Sequence, residues 1–212
     1  MEEISEIIRD IRSAIKNSKF TEDFILSSTM KLSLIGYSYN YDTFPKLKET
    51  ESFTDESCES PQNLAEALLW KLGKWKSYKK FCNQYFDANT SPTNSDVVFY
   101  AYSQHLKDKE NPIYDQHAIR AIWAIYENLS EEDQLKCKGL LMNSKNKWKE
   151  SGSGRHAVDC YELFLKVIEE LTGNGASKET IDRLLMPLGQ AIKKNTNTYD
   201  EFCNLCGLQE KG

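Results

Sequence analysis

Three kinds of stretch in the chain carry residue types at spacings that could do chemistry. The run Asn111-Pro112-Ile113-Tyr114-Asp115-Gln116-His117-Ala118-Ile119-Arg120-Ala121 brings a carboxylate, an imidazole and a guanidinium together. Pro112 ends the preceding turn, and Asp115 falls at the mouth of a helix, where its carboxylate meets unpaired N–H groups and the positive end of the dipole. By spacing alone Asp115 reads as an N-cap, with His117 and Arg120 three apart on the polar side of the helix. The second kind of stretch interleaves cations with aromatics. Lys71, Lys74, Lys76, Lys79 and Lys80 lie among Trp70, Trp75, Tyr78 and Phe81, and Lys145, Lys147 and Lys149 surround Trp148 in a loop closed by Gly152, Gly154 and Arg155. Such clusters neutralise phosphates and stack on bases, or else form a solvated lysine face over an aromatic core. The third is Cys203-Asn204-Leu205-Cys206, a Cys-x-x-Cys without a partner pair and so a weak metal signal. His105, His117 and His156 supply no spaced ligand set, and no glycine-rich phosphate loop is present.

The elements that must position these residues are helical. Ile4, Ile7, Ile8, Ile11 and Ile15 form one apolar stripe within residues 3 to 19. Residues 30 to 60, rich in Ser, Thr, Tyr and acids, read as irregular, with a short strand-like alternation from Lys31 to Leu34. Ser60-Pro61 opens a helical run from Leu64 to Phe86 that Gly73 divides in two. Asn89 to Asp96 is a loop, and Val97 to Leu106 an apolar helix. Asp115 to Leu129 predicts an amphipathic helix burying Ala118, Ile119, Ile122, Ile125, Tyr126 and Leu129. Ser130, followed by three acids, caps the next helix, and two more run from 156 to 172 and from 177 to 194. The expectation is an all-α fold of eight or so helices. An acidic N-terminal helix plus irregular segment, residues 1–60, would pack on a core at 61–212 as one structural unit.

Composition narrows the classes further. Over 212 residues, 40% hydrophobic and 28% charged, with 10 Gly and 5 Pro, the chain is neither disordered nor rich in the tight turns of an all-β fold. No apolar stretch is long enough to span a membrane, the acidic start does not read as a secretory signal, and six thinly spread cysteines read as reduced thiols, so a cytoplasmic protein is expected. The formal net charge of −5 taken alone speaks against nucleic acid. Yet residues 1 to 60 hold 7 basic and 12 acidic side chains and account for all of it, leaving the rest neutral with local basic clusters.

The run Pro112-Ile113-Tyr114-Asp115-Gln116-His117-Ala118-Ile119-Arg120 resembles the helix-hairpin-helix DNA glycosylase superfamily, whose members carry an apolar-x-Asp-x-His-x-x-Arg pattern. Ile181 to Gly189 is similar, less specifically, to the closing helix of small bacterial members, and the resemblance covers residues 61 to 195. It implies a compact helical bundle of that type and makes Asp115 the catalytic carboxylate, with His117 and Arg120 orienting the helix. The corresponding hairpin loop, Ser91-Pro92-Thr93-Asn94-Ser95-Asp96, lacks the family's glycines, so the hairpin is degenerate; Asn94 at positive φ could stand in, with Ser91, Thr93 and Ser95 meeting a phosphate. Val97 stands where bifunctional members carry a lysine nucleophile, which implies a monofunctional enzyme and no Schiff-base lyase. No fourth cysteine completes an iron–sulfur set, and no cofactor is expected.

The implied activity hydrolyses an N-glycosidic bond and leaves an abasic site. An ionised Asp115 would stabilise the cation developing on the sugar and orient or deprotonate water. The partner would be DNA with a flipped modified or damaged base, modified phage DNA being one target the resemblance allows. Tyr114, Trp148, Trp70 and Tyr102 are the candidates to stack on that base. A non-catalytic DNA- or protein-binding protein on the same scaffold is the alternative, and a helical interaction protein whose acidic N-terminal helix docks a partner is the third.

Overall fold

The structure, a computed structural model, describes residues 2–39, 61, 64–87 and 89–208. Ten helices account for its regular structure among those residues: α1 (Glu2–Lys16), α2 (Glu22–Leu34), α3 (Leu64–Lys71), α4 (Trp75–Phe86), α5 (Val97–Lys107), α6 (Gln116–Ile125), α7 (Glu131–Leu141), α8 (Ala157–Thr172), α9 (Lys178–Asn195) and α10 (Tyr199–Cys206). Of the segment expected to be irregular, residues 30 to 60, the part over 40–60, including Cys58, lies outside the described residues.

α6 is the hub. Every residue from Ala118 to Ile125 is buried, and the helix packs against α1, α7, α8 and, most extensively, α9. It is therefore a central helix rather than an amphipathic surface one, and it ends at Ile125 instead of continuing to Leu129. The reason is tertiary: Arg12 of α1 donates from Nε to Ala124 O at 2.8 Å, satisfying a last-turn carbonyl that a longer helix would have used itself. α1 buries Ile4, Ile7, Ile8 and Ile11 in the same core, and α2 lies along α9.

Two elements depart from the sequence expectation. Lys31 to Leu34 is the end of α2, not a strand. The hydroxyls of Ser28 and Thr29, which lower helix propensity, bond back to Phe24 O and Ile25 O at 2.9 Å each, and Thr21 caps the helix. α10 is the second: it has no counterpart in the expected elements, although Thr198 caps it and Asp200 and Glu201 occupy its first turn. The break at Gly73 is present, with φ +70, and it separates α3 from α4. α4 packs along α5, and Trp75 and Cys82 are buried in that corner.

Candidate functional site at the mouth of helix α6

Asp115 stands at the N-cap of α6 with extended backbone, and a single carboxylate oxygen, Oδ1, accepts both the His117 N–H at 2.6 Å and the Ala118 N–H at 3.0 Å. Oδ2 accepts no hydrogen bond from the described residues, and the side chain is half-buried. The segment leading into it is fixed from behind. The Ile113 N–H donates to Asp182 Oδ2 at 2.7 Å, and the Tyr114 hydroxyl donates to Ala157 O at 3.3 Å.

His117 and Arg120 do not lie on a polar face. Arg120 is fully buried: its Nη1 donates to His117 Nδ1 at 3.0 Å and to Gly189 O at 3.2 Å, and its guanidinium lies 4.5 Å from the centre of the Trp148 ring. A guanidinium only donates, so Nδ1 of His117 is unprotonated and Nε2 holds the imidazole proton. Burial pushes the His117 pKa down and the Arg120 charge adds to this, while Asp115 opposes it. Burial also brings Arg120 down to about 10, which leaves it charged at neutral pH. Its Nε and Nη2 have no hydrogen-bond partner, so Trp148 and the pinned carbonyl hold it in place. Gly189 of α9 makes that contact possible, because a Cβ there would sit 2.0 Å from His117 O. Arg120 and Gly189 thus tie α6 to α9.

The basic loop reaches the same place. Gly152 lies so close to Gln116 that a Cβ would be 3.1 Å from its N atom, and Gln116 Nε2 donates to Glu150 O at 3.1 Å. Glu150 pairs with Lys193 at 2.6 Å. From there the chain of contacts runs to the loop before α5: the Gly154 N–H donates to Asn94 O at 2.7 Å, and the Val158 N–H donates to Asn94 Oδ1 at 2.9 Å, capping α8. Asn94 is thus a linker between loops and does not take positive φ, which among non-glycine described residues is found only at Ser18, Asn146 and His156.

The loop before α5 is closed on itself. The Thr93 N–H donates to Asp96 Oδ1 at 2.7 Å, and the Asp96 and Val97 N–H groups donate to Thr93 O at 3.1 and 3.0 Å, which closes a turn ahead of the helix. Thr93 Oγ1 and Ser95 Oγ are 3.0 Å apart, and Ser91 is exposed. Burial by itself would raise the Asp96 carboxyl, but its contact with Lys80 together with Thr93 holds it below the usual range. The Thr93 N–H is thus taken by an internal carboxylate, and the Thr93 hydroxyl expected to meet a phosphate lies beside that of Ser95.

Of the lysines on α3, on α4 and in the turn between them, Lys71, Lys74, Lys76 and Lys80 are exposed and Lys79 is half-buried, 6.0 Å from the centre of the buried Trp75 ring. Trp70 is 61% exposed beside them. In the second cluster Lys145, Lys147 and Arg155 are exposed, while Lys149 donates to Gly139 O at 2.7 Å. The candidate base-stacking aromatics separate accordingly. Tyr114 is 1% exposed and packs on Tyr161 and Phe164, so it is core. Trp148, half-buried, donates to Thr196 O at 2.9 Å and packs on Trp123 and Phe202. Tyr102 stacks on Phe81 at 6.0 Å. Trp70 is the candidate with an open face.

Gln116, Glu150, Lys193 and Gly189 adjoin this site without having been singled out by the sequence; of the four, Gln116 lies in the Asp115–Arg120 run and Gly189 in the segment similar to a closing helix. Cys203 and Cys206 are buried, and among the described residues no group of three or more His, Cys, Asp or Glu is disposed to hold a metal ion. No helix among the described residues is long and apolar enough to cross a membrane. Comparison with known proteins returns no match to this chain from any family model, curated protein or solved structure.

Proposed function

We propose that the protein is a monofunctional DNA glycosylase that excises a modified or damaged base, with Asp115 as its catalytic carboxylate. The observation that carries this reading is the division of labour within Asp115: Oδ1 takes both helix N–H bonds while Oδ2 accepts none, at the start of an Asp-x-His-x-x-Arg run on α6. A carboxylate oriented through one oxygen presents the other to a cation developing on a sugar, or to the attacking water. His117 and Arg120 position the helix and touch no substrate. The exposed cations Lys145, Lys147 and Arg155, on the loop that crosses the mouth of α6, would neutralise phosphates, and Trp70 with its neighbouring lysines would extend that surface.

A non-catalytic nucleic-acid- or protein-binding role is the second reading, favoured by the Asp96 carboxylate seated in the loop where a phosphate grip would be needed. Two assays separate the readings. Duplex binding should weaken steeply with salt, and replacing Lys145, Lys147 and Arg155 by Gln should lower the slope by about 1 for each phosphate no longer neutralised. A panel of duplexes with modified bases, scored for alkali-labile sites, should yield at least one substrate. Salt-dependent binding without any product across the panel would favour the second reading.

A further inference from the structure

A cavity lies at the opposite end of α6 from Asp115, about 15 Å away along a helix of 10 residues. It measures about 630 Å³ and is lined on the α1 side by Ser5, Arg9, Arg12, Ser13 and Lys16. A second hollow of about 370 Å³ shares Arg12, Lys16 and Glu127 with it and adds the apolar walls Ile15, Ile125 and Tyr126. One groove thus has a cationic half and a flat apolar half.

The charges in the groove are not equivalent. Its negative wall consists of Glu127 and the carbonyl ends of α6 and α10. Arg12 meets each part of it, donating to Ala124 O and to Cys206 O and standing 3.8 Å from Glu127. Arg12 is therefore a structural cation, 11% exposed at the side chain. Arg9 and Lys16, three residues before it and four after, share its face of α1. Arg9 has only a 3.9 Å contact with Glu6, in which the two side chains are 76% and 62% exposed, a pair worth little in water. Lys16 forms no ion pair among the described residues. Two cations are left facing the groove, with Ser13 between them along α1, while the Ser5 hydroxyl is taken by Leu205 O at 2.9 Å. On the other side the Tyr126 hydroxyl bonds Glu170, which fixes the orientation of its ring.

From this geometry we infer that the groove between α1 and the end of α6 binds a phosphate monoester carried on a flat ring system, the phosphate against Arg9 and Lys16 and the ring against Ile15 and Tyr126. The chemistry is that of a mononucleotide, free in solution or at the 5′ end of a strand. It is independent of Asp115.

Calorimetric titration of the full chain tests the inference with AMP, ribose 5-phosphate, adenosine, and one unmodified oligonucleotide with and without its 5′-phosphate. AMP should bind at least about tenfold more tightly than either of its halves, since each half occupies one side of the groove only. If only the 5′-phosphorylated oligonucleotide binds better than its unphosphorylated form, the strand end is the source. Arg9→Gln and Lys16→Gln should each weaken binding about threefold, and Glu127→Gln should tighten it about as much, a gain that misfolding cannot produce. Absence of binding by both AMP and the 5′-phosphate, or binding indifferent to all three substitutions, overturns the inference. Because these ligands hold no excisable modified base, the outcome does not depend on whether the glycosylase reading stands.

Discussion

Replacing Gly189 by Ala tests the packing that fixes the site. The new Cβ would lie 2.0 Å from His117 O, 2.5 Å from His117 C and 2.8 Å from His117 Cα. All three are backbone atoms, so no side chain can swing away. Restoring ordinary contact at about 3.4 Å means separating α9 from α6 by about 1.4 Å at their tightest crossing. That movement would loosen the contacts of Leu185, Leu188 and Ile192, all buried, and withdraw Gly189 O from Arg120. Overpacking costs about 1–3 kcal/mol where side chains can adjust, so about 3 kcal/mol or more is expected here, even after the gain of about 1 kcal/mol in helix propensity. Chemical denaturation followed by circular dichroism would show it as a lower midpoint, equivalent to about 6–12 °C in Tm. Gly139→Ala is the control: its Cβ would meet only the tip of His156, at 3.1 Å, and an exposed helix position should gain from the substitution. A cost below about 1 kcal/mol for Gly189→Ala would refute the claim that this contact sets the α6–α9 distance.

Other substitutions follow from the same geometry. Arg120→Ala should cost about 3 kcal/mol, since it empties the space over Trp148 and leaves His117 Nδ1 without a donor. Arg120→Met, which fills the volume without a buried charge, should cost about 1 kcal/mol, and a reversed order in urea melts would argue against the packing role. His117 has a folded pKa below its ordinary 6.5, so the unfolded chain binds more protons as pH falls through 6.5. Stability should therefore drop between neutral pH and the folded pKa, a slope that His117→Gln removes. Loss from Asp96 and Glu22, whose carboxyls are held low, should appear only at more acidic pH, below about 4.5. The thiols Cys82, Cys137, Cys160, Cys203 and Cys206 are all buried, so a Cys58→Ser variant should take up maleimide only when unfolded; rapid native labelling would contradict the core as described.

The parts of this architecture legible in the sequence are those settled within a few residues. Ser130 accepts from the Asp133 N–H and caps α7, Gly73 breaks α3 from α4, and Asp115 caps α6, each as local rules require. Distant partners settle the rest. Arg120 reads as a polar-face residue because nothing nearby in sequence announces the Trp148 ring and the Gly189 carbonyl that enclose it. Trp148, in a basic loop, reads as the more open aromatic, but its indole N–H is taken by Thr196, and Trp70 on α3 faces solvent instead. α2 is hidden because Ser27, Ser28 and Thr29 weigh against a helix locally, whereas burial of Ile25 and Leu32 against the core favours it.

The most direct test of the central claim is base release by wild type and Asp115→Asn on the best duplex from the panel. Asn keeps an acceptor for the His117 and Ala118 N–H groups, so the cap, the fold and salt-dependent DNA binding should survive, with stability changed by less than about 1 kcal/mol. If Asp115 is the catalytic carboxylate, release falls at least about 100-fold while binding is unchanged. Undiminished release by Asp115→Asn would contradict that role.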